Sequence, residues 1–428
     1  MTVDMNVTEN RKLIPFEEAM KMLTRSISGN LVTISRVGGG LTEKILRQAL
    51  DLLQIRHPFL NCHIIGSPGD LHFKTEGTPK IPLRIVEIEN LNTEDWQSVA
   101  IEEINNQIDS EKVLMRAVLI KTLDSNVNYL IITLEHIICD GISIVYLMSE
   151  LLSICGQILS ENKIPSISKL PMLPSLDDLL PKVEIKWHNQ QIDKEIKTLE
   201  VEQDLPLELR KTGLVHKKLA PEITKVIISS CKEEHATVNG ALCAAMMLAV
   251  ADKIKDKDKN LFLSCFSAIN LRQRINPPIS NHDLALLASS LYTIHEIIED
   301  KSFWELARAI TKIVKEKLET DVIFESKQIL ESLISNYDNN MPKAPCSVGI
   351  TNLGYVKIPS NYGSLKLEEI SLAVAVQFSM ENTFFSAALT FEESMMLNFL
   401  YCQPLISHKT IEMLAEKTIS YLTRYCRI

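Results

Sequence analysis

One segment of the sequence, from Asn126 to Cys155, restricts the possible folds more than any other. Its first part, Asn126 to Glu135 (NVNYLIITLE), is apolar and β-branched, which predicts a buried strand. Its last part, Ile142 to Cys155, has apolar residues at helical spacing, which predicts a helix. The sequence therefore predicts a strand that leads through a short turn into a helix.

The turn carries the motif H-x-x-x-D-G, formed by His136, Asp140 and Gly141 within LEHIICDGIS. Roughly one chance match in a hundred chains of this composition is expected for such a pattern. The amide groups at the start of a helix favour nearby negative charge. The motif therefore predicts a site that removes a proton and holds an oxyanion. The alternative, a core histidine followed by an Asp-Gly turn, stays open here.

Strands and helices alternate irregularly along the rest of the chain. This order predicts an α/β protein of two sandwiches with mixed (α+β) sheets rather than a parallel doubly wound fold. Besides the motif segment, the clearest predicted strands are Leu31–Val37, Pro82–Ile88, Leu214–Leu219, Leu261–Ile269 and Ser371–Phe378, and the clearest predicted helices are Glu222–Glu234 and Val238–Asp252.

The chain has 428 residues, more than one hydrophobic core usually organises, so we expect two domains. Five of its 17 prolines fall between positions 161 and 213, among charged and amide residues with weak periodicity. Proline removes a backbone donor and restricts the preceding residue, which is typical of a connecting segment. We therefore predict halves at 1–160 and 214–428, joined by a linker at 161–213.

Composition excludes some classes of partner and site. The net charge of -9 argues against a nucleic-acid polymer, which requires clustered Lys and Arg. The nine cysteines form no C-x-x-C pair, and no His, Cys or carboxylate spacing indicates a metal site. No signal peptide and no membrane-spanning apolar stretch is visible. We expect a cytoplasmic, monomeric protein with reduced thiols.

Several blocks of the sequence resemble the condensation-domain and chloramphenicol-acetyltransferase-like acyltransferases, whose histidine motif reads H-x-x-x-D-G or H-H-x-x-x-D-G. The resemblance is strongest to the phthiocerol/phthiodiolone dimycocerosyl transferase-like branch, which is associated with polyketides, and it covers most of the chain. Only the histidine block is specific for chemistry. The other blocks are PFEEAM (Pro15–Met20), LTEKILRQALDLLQIRHPFLNCHI (Leu41–Ile64), the segment Leu214–Leu248, AINLRQR (Ala268–Arg274) and ITNLGYV (Ile350–Val356).

The resemblance implies a V-shaped pseudo-dimer of two related halves, with the histidine motif at their junction. It also implies an acyltransferase of natural-product or lipid biosynthesis that moves an acyl group from a coenzyme A or acyl-carrier-protein thioester to a small-molecule acceptor. The thioester is a substrate, so no cofactor is expected. His136 is the expected general base, because a neutral imidazole accepts a proton near neutral pH.

The resemblance also suggests roles for other residues. Asp140 is expected to form a structural ion pair, with Arg272 as partner; a surface arginine or a phosphate contact is the alternative for Arg272. Gly141 is a candidate oxyanion donor through its amide. Three further residues are candidates for the lining of a substrate tunnel: Asn270, Asn352 and Gly354.

The chain departs from the double-histidine form of the motif at Glu135. This departure weakens the case for a peptide-forming condensation domain and favours an O-acyltransferase that esterifies a hydroxyl. Two alternatives remain: an amide-forming condensation enzyme that acts on an amine, and a catalytically silent module that docks carrier proteins.

Overall fold

The computed structural model describes residues 10–25, 27–89, 93–122, 126–161, 164–179, 194–254, 261–298, 302–320, 345–377 and 382–426. The chain divides into two compact units. Unit 1 contains the described residues within Met1–Leu180, Leu271–Leu287 and Lys357–Ala375. Unit 2 contains those within Pro181–Asn270, Ala288–Val356 and Val376–Ile428.

Unit 1 is built on a six-stranded mixed sheet. Its strands are β2 (Asn30–Gly38), β5 (Leu83–Ile88), β6 (Met115–Thr122), β7 (Val127–Glu135), β12 (Asn361–Tyr362) and β13 (Leu365–Val374). Their spatial order is β12-β13-β2-β7-β6-β5; β5 and β6 are parallel and the other neighbours are antiparallel. β7 lies between β2 and β6, and it is buried after its first residue, as the apolar sequence predicts.

Five helices and a small antiparallel sheet complete unit 1. The helices are α1 (Pro15–Leu23), α2 (Glu43–Arg56), α3 (Thr93–Asn105), α4 (Gly141–Glu161) and α5 (Leu176–Leu179), and short 3₁₀ turns occupy Pro58–Asn61 and His136–Ile138. The small sheet consists of β1 (Arg11–Lys12), β3 (His63–Ile65) and β4 (His72–Lys74). α4 directly follows the histidine turn, at the position where the sequence predicts a helix.

Among the described helices, α4 alone has the length and mean hydropathy, 1.7, of a membrane-spanning segment. The consecutive helices Pro221–Glu233 and Val238–Lys253 meet that test only when they are counted together across a 102° bend. In α4, 67% of the apolar window is buried inside the fold. Its apolar residues therefore serve as core, and length and composition alone assign it to no membrane.

Unit 2 is built on a second six-stranded mixed sheet. Its strands are β8 (Lys211–Leu219), β9 (Leu261–Asn270), β10 (Ala288–Ile297), β11 (Val348–Tyr355), β14 (Phe384–Phe391) and β15 (Ser394–Gln403). The spatial order is β10-β9-β11-β14-β15-β8, and β11 runs parallel to both β9 and β14. Its helices are α6 (Pro221–Glu233), α7 (Val238–Lys253), α8 (Phe303–Leu318) and α9 (His408–Tyr425), with a 3₁₀ turn at Leu207–Leu209. The prediction of two α/β lobes with mixed sheets is confirmed.

The two units do not coincide with the halves predicted at 1–160 and 214–428. Residues 271–287 and 357–375 lie beyond the predicted linker but belong to unit 1. β13 explains the second segment, because it pairs antiparallel with β2, with Ile370 opposite Ser35. The predicted linker, 161–213, overlaps the start of β8, which begins at Lys211. The strand predicted at 371–378 is observed at Leu365–Val374, and Phe378 lies outside the described residues.

Candidate active site

His136 is the first residue of the 3₁₀ turn between β7 and α4. Its side chain is half-buried, whereas Glu135, Ile137 and Ile138 are buried. Its backbone N–H donates to the carbonyl oxygen of Gly29 at 3.1 Å. Neighbours that are fixed in the core therefore hold the imidazole at a partly accessible position.

The hydrogen bond of the His136 ring defines its tautomer. Nδ1 lies 2.8 Å from the carbonyl oxygen of Cys139. A carbonyl oxygen can only accept, so the neutral ring carries its proton on Nδ1 and a lone pair on Nε2. Nε2 has no hydrogen-bond partner among the residues that the structure describes. The ring is therefore prepared to accept a proton at Nε2.

Asp140 is 4% exposed and its carboxylate is fully used inside the protein. Oδ1 accepts from the backbone N–H of Ser143 at 2.9 Å. Oδ2 accepts from the backbone N–H of Leu287 at 2.9 Å and from Nη1 of Arg272. The carboxylate thus fixes the start of α4 to segment 271–287 and has no capacity left for a substrate.

Arg272 is fully buried, so it is not a surface arginine. Besides Asp140, its guanidinium donates to three carbonyl oxygens. Nη2 donates to those of Asp283 and Ala285, both at 3.2 Å, and Nε donates to that of Ser280 at 3.3 Å. These bonds satisfy a buried cation that would otherwise be costly. All of these groups belong to unit 1.

Gly141 is the first residue of α4 and is partly exposed. Its backbone N–H has no acceptor among the described residues, as expected in the first turn of a helix. Such an amide can donate to a developing oxyanion, with support from the partial positive charge of the helix N-terminus.

Cys139 lies inside the motif but is unsuited to act as a nucleophile. It is completely buried, and burial, helped by the negative charges of Asp140 and Glu135, raises the pKa of its thiol well above the ordinary value. Because the thiolate is the reactive form, this thiol is chemically inert.

Glu135 forms a buried ion pair with Lys21 of α1, with Lys21 Nζ 2.9 Å from Glu135 Oε1. Glu135 is only 2% exposed, and burial raises the pKa of its carboxyl, although the charge of Lys21 opposes this effect. The pair anchors the residue immediately before His136 to α1. The sequence did not predict Lys21 as the partner, because the two residues are 114 positions apart. The only indication of a nearby cation was Glu135 itself, at a position where the double-histidine motif has a histidine.

Ser143 and the Leu287 amide were also missed as supports of the turn. Ser143 Oγ accepts from the backbone N–H of Asp140 at 3.0 Å, which is the reciprocal of the bond from Ser143 N–H to Asp140. The spacing D-x-x-S at the start of a helix is a recognisable capping signal. The amide of Leu287 leaves no such signal, because any residue type could supply it.

The other three predicted residues lie where strands end or become irregular. Asn270 ends β9 and is exposed. Asn352 Oδ1 accepts from the backbone N–H of Gly354 at 2.9 Å, and Gly354 has a φ of 65° at an irregularity of β11. These three residues belong to unit 2, whereas His136, Asp140, Gly141 and Arg272 belong to unit 1.

Within the described residues, no group of three or more His, Cys, Asp or Glu side chains is arranged to hold a metal ion. The chemistry available at the turn consists of one imidazole, one free helix-terminal amide and a buried ion pair that holds both in place. This set of groups is suited to moving a proton and stabilising an oxyanion.

Two family models match the chain. The condensation domain model matches residues 19–267, and the phthiocerol/phthiodiolone dimycocerosyl transferase C-terminus model matches residues 211–410. A search of curated proteins gave no match.

Solved structures of low sequence identity share the fold over nearly the whole chain. Polyketide synthase associated protein 5 from Mycobacterium tuberculosis is 16% identical, with a TM-score of 0.72 and coverage of 96% of this chain and 97% of that one. Trichothecene 15-O-acetyltransferase from Fusarium sporotrichioides is 13% identical, with a TM-score of 0.74 and coverage of 97% and 95%. The first condensation domain of the calcium-dependent antibiotic synthetase is 12% identical, with a TM-score of 0.71 and coverage of 99% and 98%.

Proposed function

The chain belongs to the condensation-domain family, and we propose that it transfers an acyl group from a coenzyme A or carrier-protein thioester to a hydroxyl group, forming an ester. The observation that carries this proposal is the state of His136, whose Nδ1 is bound to the Cys139 carbonyl while Nε2 stays free. The free nitrogen of a neutral imidazole is the group that a hydroxyl needs in order to become a nucleophile near neutral pH.

The proposed reaction needs no covalent enzyme intermediate. Nε2 of His136 takes the proton of the acceptor hydroxyl while its oxygen attacks the thioester carbonyl, forming a C–O bond and a tetrahedral oxyanion. The Gly141 amide donates to that oxyanion. The oxyanion then collapses, the C–S bond breaks, and the imidazolium returns its proton to the departing thiolate. The products are an ester and a free thiol.

The rest of the site holds these two groups in position. Protonated His136 keeps its bond from Nδ1 to Cys139, so the ring need not reorient between proton uptake and release. The Asp140–Arg272 pair fixes the first turn of α4 and hence the direction of the Gly141 amide. Catalytic groups lose much of their effect when they are slightly misplaced, so this support contributes to rate as well as to stability.

Two observations favour an alcohol as acceptor. Glu135 replaces the first histidine of the double-histidine motif, and a structure of the same fold is named as an O-acetyltransferase. A hydroxyl also depends on a general base more than an amine does, because a neutral amine is already nucleophilic. The condensation domain match favours amide formation as the second candidate function.

A competition experiment tests the proposal. The purified protein is given one acyl thioester and equal amounts of an alcohol and an amine with the same carbon skeleton, and the products are separated by mass. We expect ester as the main product, and we expect the preference for alcohol to shrink in His136→Ala. Mainly amide product would favour the condensation alternative, and no product with any donor or acceptor would favour a docking module.

A further inference from the structure

The end of β7, directly before the histidine turn, carries a layer of buried charged groups. Thr133 and Glu135 are two positions apart on β7, so their side chains share one face of the sheet. Arg116 of β6 lies opposite Thr133, and its guanidinium donates to the carboxylate of Glu103 on α3, which also accepts from the Thr133 hydroxyl at 2.9 Å. Glu103 and Glu135 are only 3% and 2% exposed, so these charges interact with little screening by water.

Each carboxylate of this layer is paired with a cation from another element. Glu103 binds Arg116 and also Arg84 of β5, whose Nη2 lies 3.0 Å from Glu103 Oε1. Glu135 binds Lys21 of α1 at 2.9 Å, and the Lys21 side chain is 15% exposed. Because Glu103 already engages Arg116, Lys21 supplies the main counter-charge of Glu135. Loss of the Glu135 charge therefore leaves an ammonium group near the histidine turn without its counter-charge.

Other charged or titratable groups lie on α1, at the start of α4 and on segment 271–287, which also pack against the turn. They are Glu17, Glu18, Asp140, Arg272, His282 and Asp283. The carboxylates among them are bound by donors outside the Lys21–Glu135 pair. Substitutions in the pair therefore leave these contacts in place.

Glu135 and His136 influence each other through space. Burial raises the pKa of the Glu135 carboxyl, and the positive charges of Lys21, Arg116 and His136 oppose that rise. The interaction between two charges is mutual, so the carboxylate stabilises positive charge on the His136 ring to the same extent. The Lys21 ammonium has the opposite sign and therefore the opposite effect on the ring.

Backbone hydrogen bonds fix the two neighbouring residues. The N–H of Glu135 donates to the carbonyl oxygen of Leu114 at 3.0 Å, and that of His136 donates to the carbonyl oxygen of Gly29 at 3.1 Å. Asn30, which lies opposite Glu135 in the ladder, donates from Nδ2 to two carbonyl oxygens at the end of α3. The fold therefore sets where the carboxylate stands relative to the imidazole.

We propose that Glu135 and Lys21 are positioning residues that set how readily His136 takes up a proton. The Glu135 carboxylate stabilises the imidazolium that forms while the acceptor hydroxyl is deprotonated, a role that rests on the proposed function. Lys21 keeps this carboxylate ionised and limits its effect, so that the ring can return the proton to the departing thiolate. Both residues act through His136 rather than on a substrate.

Titration of the His136 ring by NMR tests this inference without any substrate. The ring signal is identified by its absence in His136→Ala and is followed from acid to neutral pH. We expect Glu135→Gln to lower the titration midpoint by roughly 0.5 to 1.5 pH units, the effect of one charge about 8 Å away at an effective dielectric constant of about 20 to 60. Glutamine keeps the shape of the side chain and can still accept a hydrogen bond from Lys21.

Two further variants show whether charge is the cause. Glu135→His also removes the carboxylate and supplies the residue that the double-histidine motif has at this position, so its His136 midpoint should fall as well. The double variant Glu135→Gln with Lys21→Met removes both charges and should recover much of the shift, because the ammonium no longer opposes protonation of the ring. If loss of the ion pair alone were responsible, the single and double variants would have the same midpoint.

Glu368→Gln is the matched control, because it breaks an ion pair with Arg36 in the same sheet. Arg36 lies six positions along β2 from Asn30, about 20 Å away at about 3.3 Å per residue. The His136 midpoint should therefore stay unchanged in this variant. An unchanged midpoint in both Glu135→Gln and Glu135→His, or an equal shift in Glu368→Gln, would overturn the inference.

The pH dependence of acyl transfer separates this inference from the proposed function. The midpoint of kcat/KM against pH should fall in Glu135→Gln together with the NMR midpoint. If the NMR midpoint falls but the protein transfers no acyl group, the influence of the pair on His136 stands and the proposed function falls. If transfer proceeds and neither substitution of Glu135 moves the midpoint, the positioning role falls and the function stands.

Discussion

Arg272 donates from Nη1 to Oδ2 of Asp140, although 132 positions separate the two residues in the sequence. Both side chains are buried, with exposures of 0% for Arg272 and 5% for Asp140. The pair joins segment 271–287 to the first turn of α4, so the chain beyond the middle of the sequence helps to hold the turn that carries His136.

We expect the loss of either partner to destabilise unit 1 strongly. Asp140→Asn and Arg272→Ala should each lower the free energy of unfolding by about 3 to 5 kcal/mol, because each leaves a buried group without its counter-charge. The double variant should lose less than the sum of the two single losses. Denaturant unfolding measures all three variants, with Arg25→Ala, at an exposed position, as the control that should change by less than about 0.5 kcal/mol. Strictly additive losses would show that the two residues do not act as a pair.

The Lys21–Glu135 pair should make stability depend on pH in a particular direction. Burial raises the pKa of Glu135 above its ordinary value of 4.5, so this carboxyl contributes stability below that value, and the contribution is lost as pH rises through the folded pKa. Lys21→Met removes the ammonium charge that stabilises the ionised form of Glu135. We therefore expect Lys21→Met to cost roughly 1 to 3 kcal/mol near neutral pH and clearly less at about pH 4.5. Equal costs at the two pH values in denaturant unfolding would contradict the buried ionised pair.

Glu150 should show the opposite sign. His57 and Arg56 hold the pKa of Glu150 below its ordinary value of 4.5, so its contribution to stability is present above 4.5 and is lost as pH falls through the folded pKa. Glu150→Gln should therefore be less stable than the unaltered protein near neutral pH, and the difference should shrink in acid below about pH 4.5. A difference that grows as the pH falls would refute the pairing of Glu150 with His57 and Arg56.

Local patterns predicted the parts of the fold that depend on local sequence. The apolar run predicted β7 within one residue, and the helical spacing from Ile142 predicted α4, although the helix continues to Glu161. A buried strand and a helix with one buried face each have a characteristic spacing of apolar residues in the sequence. The histidine turn could be located for the same reason, since it lies where one period changes into the other.

Long-range pairing could not be predicted in this way. β13 joins the sheet of unit 1 by pairing with β2, more than 300 positions earlier in the chain, and no local composition encodes that choice of partner. Arg272 was selected through a family resemblance rather than through spacing. Lys21 and the amide of Leu287 were missed, because the first needs the three-dimensional fold and the second is a backbone group.

Replacement of His136 by alanine tests the assigned general base most directly. The measurement is the single-turnover rate of ester formation from a saturating acyl thioester and alcohol, alongside thermal unfolding to confirm that the variant is folded. The control is His72→Ala, which should keep the full rate, because His72 lies on β4 and its ring contacts Asp70 rather than the motif. We predict that His136→Ala is slower by about 100- to 10,000-fold, the range for loss of a general base. Ester formation at the unaltered rate by a folded His136→Ala would contradict the account.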